Sequence, residues 1–396
     1  MICSRATGAP GDDCDSDDPW RDTLRRVPNV WAPTARAPSN ALLNMPADAE
    51  TYSLGLPVEL GRIDTELKKL WQENAGATRA CLINLAVYSE APNSLEKNTQ
   101  LVAQIAQNHA CRAIVIAADC QAKESRVEAW ISAHCHMPRA GSKQICSEQL
   151  SFRLEGPCTT LLPGIVFSHL DSDLPFYLWW QDNLPEKMDP QLWAWVDRLI
   201  YDSQTWKDFE RQFRRVETAQ KESKQRLILC DLNWTRLDKI RYGVAQFFDH
   251  PASHHHFAEM ENVTVDFAPG FKSTAILLIG WLAAQLGWKT DQQKMNGSCR
   301  FLDANKRKID IELRETSSPI PLRRIAIQSA ETEFVVRRAD CGDLLEVWRS
   351  SRNEKPIPQM MPAQHHDLVS LMSEELMRSG MHRVYLRALN CVRDLL

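Results

Sequence analysis

Excess positive charge is missing from this sequence: 47 lysines and arginines are outnumbered by 51 aspartates and glutamates, leaving a net charge of -4. A surface built to hold nucleic acid needs the opposite balance, so no nucleic-acid partner is expected. Long apolar runs are missing too. No stretch approaches the roughly eighteen uninterrupted apolar residues of a membrane span. The amino-terminal region carries acidic clusters where a signal peptide needs a basic start and an apolar core. The expectation is a soluble, cytoplasmic protein without a membrane partner. None of the twelve cysteines forms a C-x-x-C pair, and Cys81, Cys111 and Cys230 lie inside apolar runs. A chain this long folds without staples, so reduced thiols packing as small hydrophobes are expected.

The signatures of common chemistries are absent as well. No G-x-G-x-x-G follows an apolar run, and Gly270-Phe271-Lys272-Ser273-Thr274 matches only the end of a phosphate-binding loop, without its upstream glycine or adjacent Gly-Lys pair. Neither H-E-x-x-H nor G-x-S-x-G occurs. These gaps predict no cofactor, no catalytic residue and no resident metal on this chain.

What is present suffices for a sizeable core: 44% of the residues are hydrophobic and 25% charged. The pattern of elements predicts an α/β (mixed α+β) protein of two domains, each a mixed sheet with packed helices. Residues 1–56, rich in proline and acid with no apolar period, form a leader expected to be mostly disordered. Residues 57–170 form an amino-terminal α/β domain, with a strand–helix–strand unit over 79–117 and a hairpin over 127–154. Residues 171–355 form a second α+β domain, with a PFYLWW strand, helices over 192–200 and 203–216, a helix through Trp288 capped by Ser273, and a meander. Residues 356–396 supply closing helices.

The run from Leu227 to Asp249 is the sequence's organising stretch. A short apolar strand ends at Asp231-Leu232-Asn233, whose side-chain oxygens suit a helix start, and Trp234, Leu237, Ile240 and Val244 then recur at helical spacing. Arg236 and Arg241 fall on the other face. Among candidate ligands, His134 and His136 share one strand face opposite a hairpin strand that carries Cys146, while Cys135 points the other way. His254-His255-His256, with His250 upstream, could chelate a metal or simply cap a loop. Asp171, Asp173, Asp231 and Asp238 could serve as acid and base, with a turn role the plainer reading of the first two.

Three strings then gain meaning together: Ile145-Cys146-Ser147-Glu148-Gln149-Leu150, Ser168-His169-Leu170-Asp171-Ser172-Asp173-Leu174-Pro175-Phe176-Tyr177-Leu178-Trp179-Trp180, and Asp231-Leu232-Asn233-Trp234-Thr235-Arg236. In combination the chain resembles the glucose-6-phosphate dehydrogenase assembly protein family, OpcA. The resemblance implies a non-catalytic effector, not an enzyme, that binds glucose-6-phosphate dehydrogenase and promotes its assembly or activity in the oxidative pentose phosphate pathway. NADP and glucose 6-phosphate would then sit on the partner. The partner-binding candidates are Trp179, Trp180, Asp231, Asn233, Trp234, Arg236 and Arg241, with core packing the plainer reading of the three tryptophans; a buried Arg236 paired inside the domain would reverse the assignment. The alternative is an enzyme or sensor whose second domain grips a sugar phosphate through Arg236, Arg241 and His250. Redox control through Cys14, Cys120 or Cys146 is compatible with the first reading.

Overall fold

Apolar runs and their polar punctuation settle into two sheets. The computed structural model describes residues 54–73, 76–91, 93–137, 143–186, 190–223, 227–249, 251–291, 299–351, 356–380 and 382–395. Nearly all of the acidic leader, Cys14 and His250 lie outside them.

In chain order the first sheet is built from β1 (Leu56–Pro57), α1 (Ile63–Glu73), β2 (Thr78–Arg79), β3 (Ile83–Ser89), α2 (Ser94–Ala106), β4 (Cys111–Asp119), β5 (Arg126–His136), β6 (Ile145–Glu155), α3 (Leu162–His169), β7 (Phe176–Trp180), α4 (Pro190–Trp195), β8 (Arg198–Tyr201), α5 (Phe209–Glu222) and β9 (Ile228–Asp231). Across the sheet the order is β1-β5-β6-β4-β3-β7-β8-β9, with β2 beside β6. The strands β6, β4, β3, β7, β8 and β9 are mutually parallel, while β5 forms an antiparallel hairpin with β6. Numbered among themselves, the six parallel strands run 3-2-1-4-5-6, the doubly wound order of dinucleotide-binding sheets. The near-continuous apolar character of β3, β4 and β7 follows, since strands with helices on both faces have no wet side, whereas β6 buries Ser147, Glu148, Gln149 and Ser151. The boundary expected at 170/171 falls inside this sheet, between α3 and β7.

One expected element changes type. The helix read over 192–200 ends at Trp195, and Arg198–Tyr201 is a strand buried along its whole length. A four-residue run buried on both faces has no period of its own, so it reads as a continuation of the helix before it. Asp197 makes the break: its carboxylate accepts from the Phe176 amide at 2.8 Å, tying the start of β8 to β7.

The second sheet follows α6 (Leu232–Thr235, one turn) and α7 (Asp238–Gln246), with β10 (Met260–Phe267), α8 (Lys272–Leu286), β11 (Lys289–Thr290), β12 (Cys299–Leu302), β13 (Lys308–Glu315), β14 (Leu322–Ser329), β15 (Thr332–Arg338), β16 (Leu344–Ser351) and β17 (Gln359–Pro362). Its order is β11-β12-β13-β10-β14-β15-β16-β17. The meander expected from residue 309 holds as an antiparallel ladder over β14, β15 and β16, with β17 added at its edge, but β13, its expected first strand, runs parallel to β10, which lies between it and β14. Helix α8, apolar all round, is buried from Thr274 to Ala283, as a helix without a polar face must be. Phe271, not Ser273, stands at its cap, and the Ser273 hydroxyl instead accepts from the Asn233 amide at 3.3 Å.

The closing helices part company. Leu371 and Met372 of α9 (Leu368–Met377) join the core of the first sheet on the face covered by α2. α10 (Arg383–Val392) lies along α8 of the second unit, burying Tyr385, Ala388, Leu389 and Val392. The two helices touch at Gly280, where an added Cβ would meet the Ala388 carbonyl oxygen at 2.5 Å, so only glycine allows this approach. Gly280→Ala should therefore destabilise the protein by about 1–3 kcal/mol; urea denaturation of the variant checks this, with an unchanged midpoint as the contrary result.

Candidate functional site

In a doubly wound sheet the ligand crevice lies outside the carboxyl ends of the strands where the order reverses, here between β3 and β7. The turn from β3 into α2 reads Ser89-Glu90-Ala91-Pro92-Asn93-Ser94, with no glycine to bring backbone N–H groups close to a phosphate. Carboxylates gather there. The Glu90 amide donates to Asp182, just past β7, at 2.6 Å, and burial together with Asp182 raises the Glu90 carboxyl above its usual range. Behind them Asn98 and Gln181 exchange two amide hydrogen bonds of 2.9 Å across the crevice. An anion would meet like charge at this mouth.

A second cluster sits at the carboxyl ends of β8 and β9 and contains the organising stretch. Asp231 ends β9 fully inside the protein and caps the turn of α6, as its position before Asn233 predicts, by accepting from the Asn233 amide at 2.9 Å. It also accepts from the Ser203 amide at 3.0 Å, the Ser203 hydroxyl at 2.6 Å and the Tyr385 hydroxyl at 2.8 Å. Tyr201 in turn donates to Tyr385 at 3.0 Å. Asn233 links onward, donating to Ser203 and Ser273 and accepting from Thr274 at 2.5 Å. Burial pushes the Asp231 carboxyl up to about 6, against the pull of the Ser203 and Tyr385 hydrogen bonds.

The residues expected to meet a partner lie in this interior. Trp179 and Trp180 are buried, the latter with its ring centroid 4.0 Å from that of Tyr88 and tilted by 31°. Asp231, Asn233 and Trp234 are buried as well, with Trp234 packed against Tyr385. Arg236 is 5% exposed and grips Asp202 through two parallel bonds of 2.7 and 2.6 Å. Arg241 lies 3.6 Å above the Trp234 ring and pairs with Asp238, and burial lowers its pKa to about 9. These residues are turned inward in this chain, and the burial and pairing of Arg236 speak against its reading as a contact. The reason is topological: α6 makes a single turn and the helix restarts at Asp238, so the predicted polar face at Arg236 turns toward β8. Arg236 and Arg241, which the alternative reading would have grip a sugar phosphate, are paired here with Asp202 and Asp238.

The expected all-thiol state is also corrected. Cys135 and Cys146 are disulfide-bonded with Cα atoms 4.1 Å apart, because the β5–β6 register sets them directly opposite. Cys120 is a free, exposed thiol. His134, one of the metal candidates, is hydrogen-bonded to Gln149 at 2.9 Å. Asp171 and Asp173 form the expected turn before β7, held by the Asn84 side chain. Sequence reading missed Asp202, Ser203, Glu375 and Tyr385. Tyr385 arrives 154 residues after Asp231, and no local pattern marks such a pairing.

Comparison with known proteins adds to this geometry. The family model described as the glucose-6-phosphate dehydrogenase subunit N-terminal domain matches residues 102–218, and that described as the corresponding C-terminal domain matches residues 228–389. The OpcA protein of Nostoc punctiforme, assigned by name to the OxPP cycle, is 26% identical over 260 residues, covering 61% of this chain and 53% of that protein. A like-named protein of Synechocystis sp. is 27% identical over 188 residues, covering 46% and 38%. The chain thus spans about half the length, or less, of the curated relatives it matches. Among solved structures, a 3-ketoreductase from Actinomadura kijaniata aligns with 80% of this chain and 97% of its own at 11% identity and a TM-score of 0.44, too distant to carry an argument.

Two outcomes follow from the buried charges. Arg236→Ala should cost about 1.5–3 kcal/mol by taking the charged partner from the partly buried Asp202 carboxylate, and Asp202→Ala with Arg236→Ala should cost less than the two singles added; urea denaturation of the three variants decides. Because the folded Asp231 has a raised pKa, the folded protein binds more protons than the unfolded chain between pH 3.8 and about 6. Its contribution to stability is therefore present below that window and lost as the pH rises through it. Denaturation midpoints across the window should show this slope in the parent protein and not in Asp231→Asn.

Proposed function

We propose, on the premise that the chain belongs to the OpcA family of glucose-6-phosphate dehydrogenase assembly proteins, that it binds that dehydrogenase and favours its assembled or more active form without performing the reaction itself. NADP and glucose 6-phosphate would bind on the partner, and the two proteins would meet in the cytoplasm. The observation that carries the reading is the β3–α2 turn. A doubly wound sheet has its ligand crevice there, and in this chain the glycine-rich, anion-accepting turn is replaced by Glu90 facing Asp182. Such a mouth disfavours the diphosphate of a dinucleotide.

An effector of this kind shifts its partner only by the difference between its affinities for the partner's two states. A tenfold shift thus requires about 1.4 kcal/mol of differential affinity. The experiment is a dehydrogenase assay on the cognate enzyme with and without this protein, together with size-exclusion chromatography of the mixture. Co-elution with a raised rate or a larger assembly is expected. Separate elution with an unchanged rate overturns the proposal. Calorimetry of this protein alone with glucose 6-phosphate should show no heat of binding, whereas saturable binding would favour the sugar-phosphate reading.

A further inference from the structure

Successive residues of a strand point to opposite faces, so Cys230 turns away from the Asp231 cluster toward the face where α9 packs. Glu375 of α9 and His382, at the cap of α10, meet it there. The Cys230 sulfur, a Glu375 carboxylate oxygen and a His382 ring nitrogen all lie within 4.8 Å of one another. We propose that Cys230, Glu375 and His382 bind a divalent transition metal ion of the zinc class.

The donor set selects that class. Sulfur with imidazole suits Zn²⁺ or Co²⁺, whereas Mg²⁺ and Ca²⁺ take oxygen ligands. Bonds of about 2.0 Å to nitrogen and oxygen and about 2.3 Å to sulfur place tetrahedral ligands roughly 3.3–3.7 Å apart. His382 Nε2 and Glu375 Oε2 are 3.1 Å apart, so small side-chain shifts admit an ion. The outer partners are in place too. Glu375 Oε1 accepts from the Thr235 hydroxyl and lies 3.4 Å from Arg378, leaving Oε2 toward His382. Arg198 Nη1 lies 3.7 Å from the Cys230 sulfur, where it can donate to a thiolate. Partners of this kind fix the orientation of ligating groups.

The charges facing the site are mixed. Arg198 and Arg378 oppose a cation, while Glu375 carries its charge and Asp238 and Glu374 engage Arg378. Burial disfavours the Glu375 charge, yet hydrogen bonds from His382, Thr235 and the Cys230 thiol hold its carboxyl below the usual carboxylate range. Burial also holds the Cys230 proton well above the ordinary thiol range. Binding must expel that proton to solvent and requires the His382 tautomer protonated at Nδ1; no electrons move. Affinity therefore rises with pH. His382 is the partly exposed ligand and opens the way in. A bound ion would join β9, α9 and the start of α10.

A second cluster, His255, His256 and Glu259, also brings donors within 4.8 Å but holds no sulfur. Cobalt separates the two sites. The full chain, stripped of metal with a chelator and titrated with Co²⁺ under reductant, should bind one ion with a thiolate-to-cobalt charge-transfer band in the near ultraviolet, and Zn²⁺ should displace it. Cys230→Ser should abolish the band, His382→Ala should weaken binding at least about tenfold, and His255→Ala should leave the band unchanged. Absence of the band in the parent protein, or a band that survives Cys230→Ser, overturns the proposal. Should Cys230→Ser fail to fold, the partly exposed His382→Ala decides: unchanged cobalt affinity in that variant also overturns it.

Discussion

A single buried carboxylate holds the two halves of this protein in register. Asp231 ends the last strand of the first sheet, and its donors come from the segment after β8, from the turn that starts the second unit and from the final long helix. A buried carboxylate without partners costs several kcal/mol, so each of those segments is held where it can donate. Asn233 extends the constraint to α8 through Thr274 and Ser273. The Arg236–Asp202 pair closes the same corner from its other side.

The first sheet sets an acidic turn at the crevice of a doubly wound architecture. The strand order, the helix crossovers and the crevice at the order reversal belong to a dinucleotide-binding architecture, yet the turn that would hold the phosphates carries acid. Fold is set by burial and connection handedness, and function by a handful of residues at strand ends. Changing the latter leaves the former intact. The helices on both faces supply the packing of the apolar strands β3, β4 and β7.

Much of this architecture was legible in the residues. The strand–helix–strand unit, the hairpin, the meander beyond β13, the buried α8 and the Asp231 cap all follow from spacing and end signals that act within a dozen residues, whereas the parallel place of β13 beside β10 does not. The strand at Arg198–Tyr201 was not legible, because four buried residues carry no period that tells strand from helix. The disulfide depended on the register between β5 and β6, which brings Cys135 opposite Cys146, and spacing along the chain says nothing of that. The polar corner was found and its exposure misjudged: helical spacing places Arg236 opposite Trp234 and Leu237 on an uninterrupted helix, but the chain bends at Leu237 and buries both faces. Tyr385 and Glu375, the distant partners of the corner, were invisible because their roles exist only once the chain has folded back on itself.

The position of Tyr385 also sets a timetable. At a synthesis rate of about 5–20 residues per second, the 154 residues between Asp231 and Tyr385 take on the order of ten seconds to appear. The first sheet emerges complete in its strands while one donor to its buried acid is still unmade, and α9, which covers part of one face, is missing as well. For that interval the nascent chain presents Leu371's future contact surface to whatever is nearby. Through that interval the buried acid lacks one donor and one face of the sheet lacks part of its cover, and α9 and α10 act as the latch that ends it.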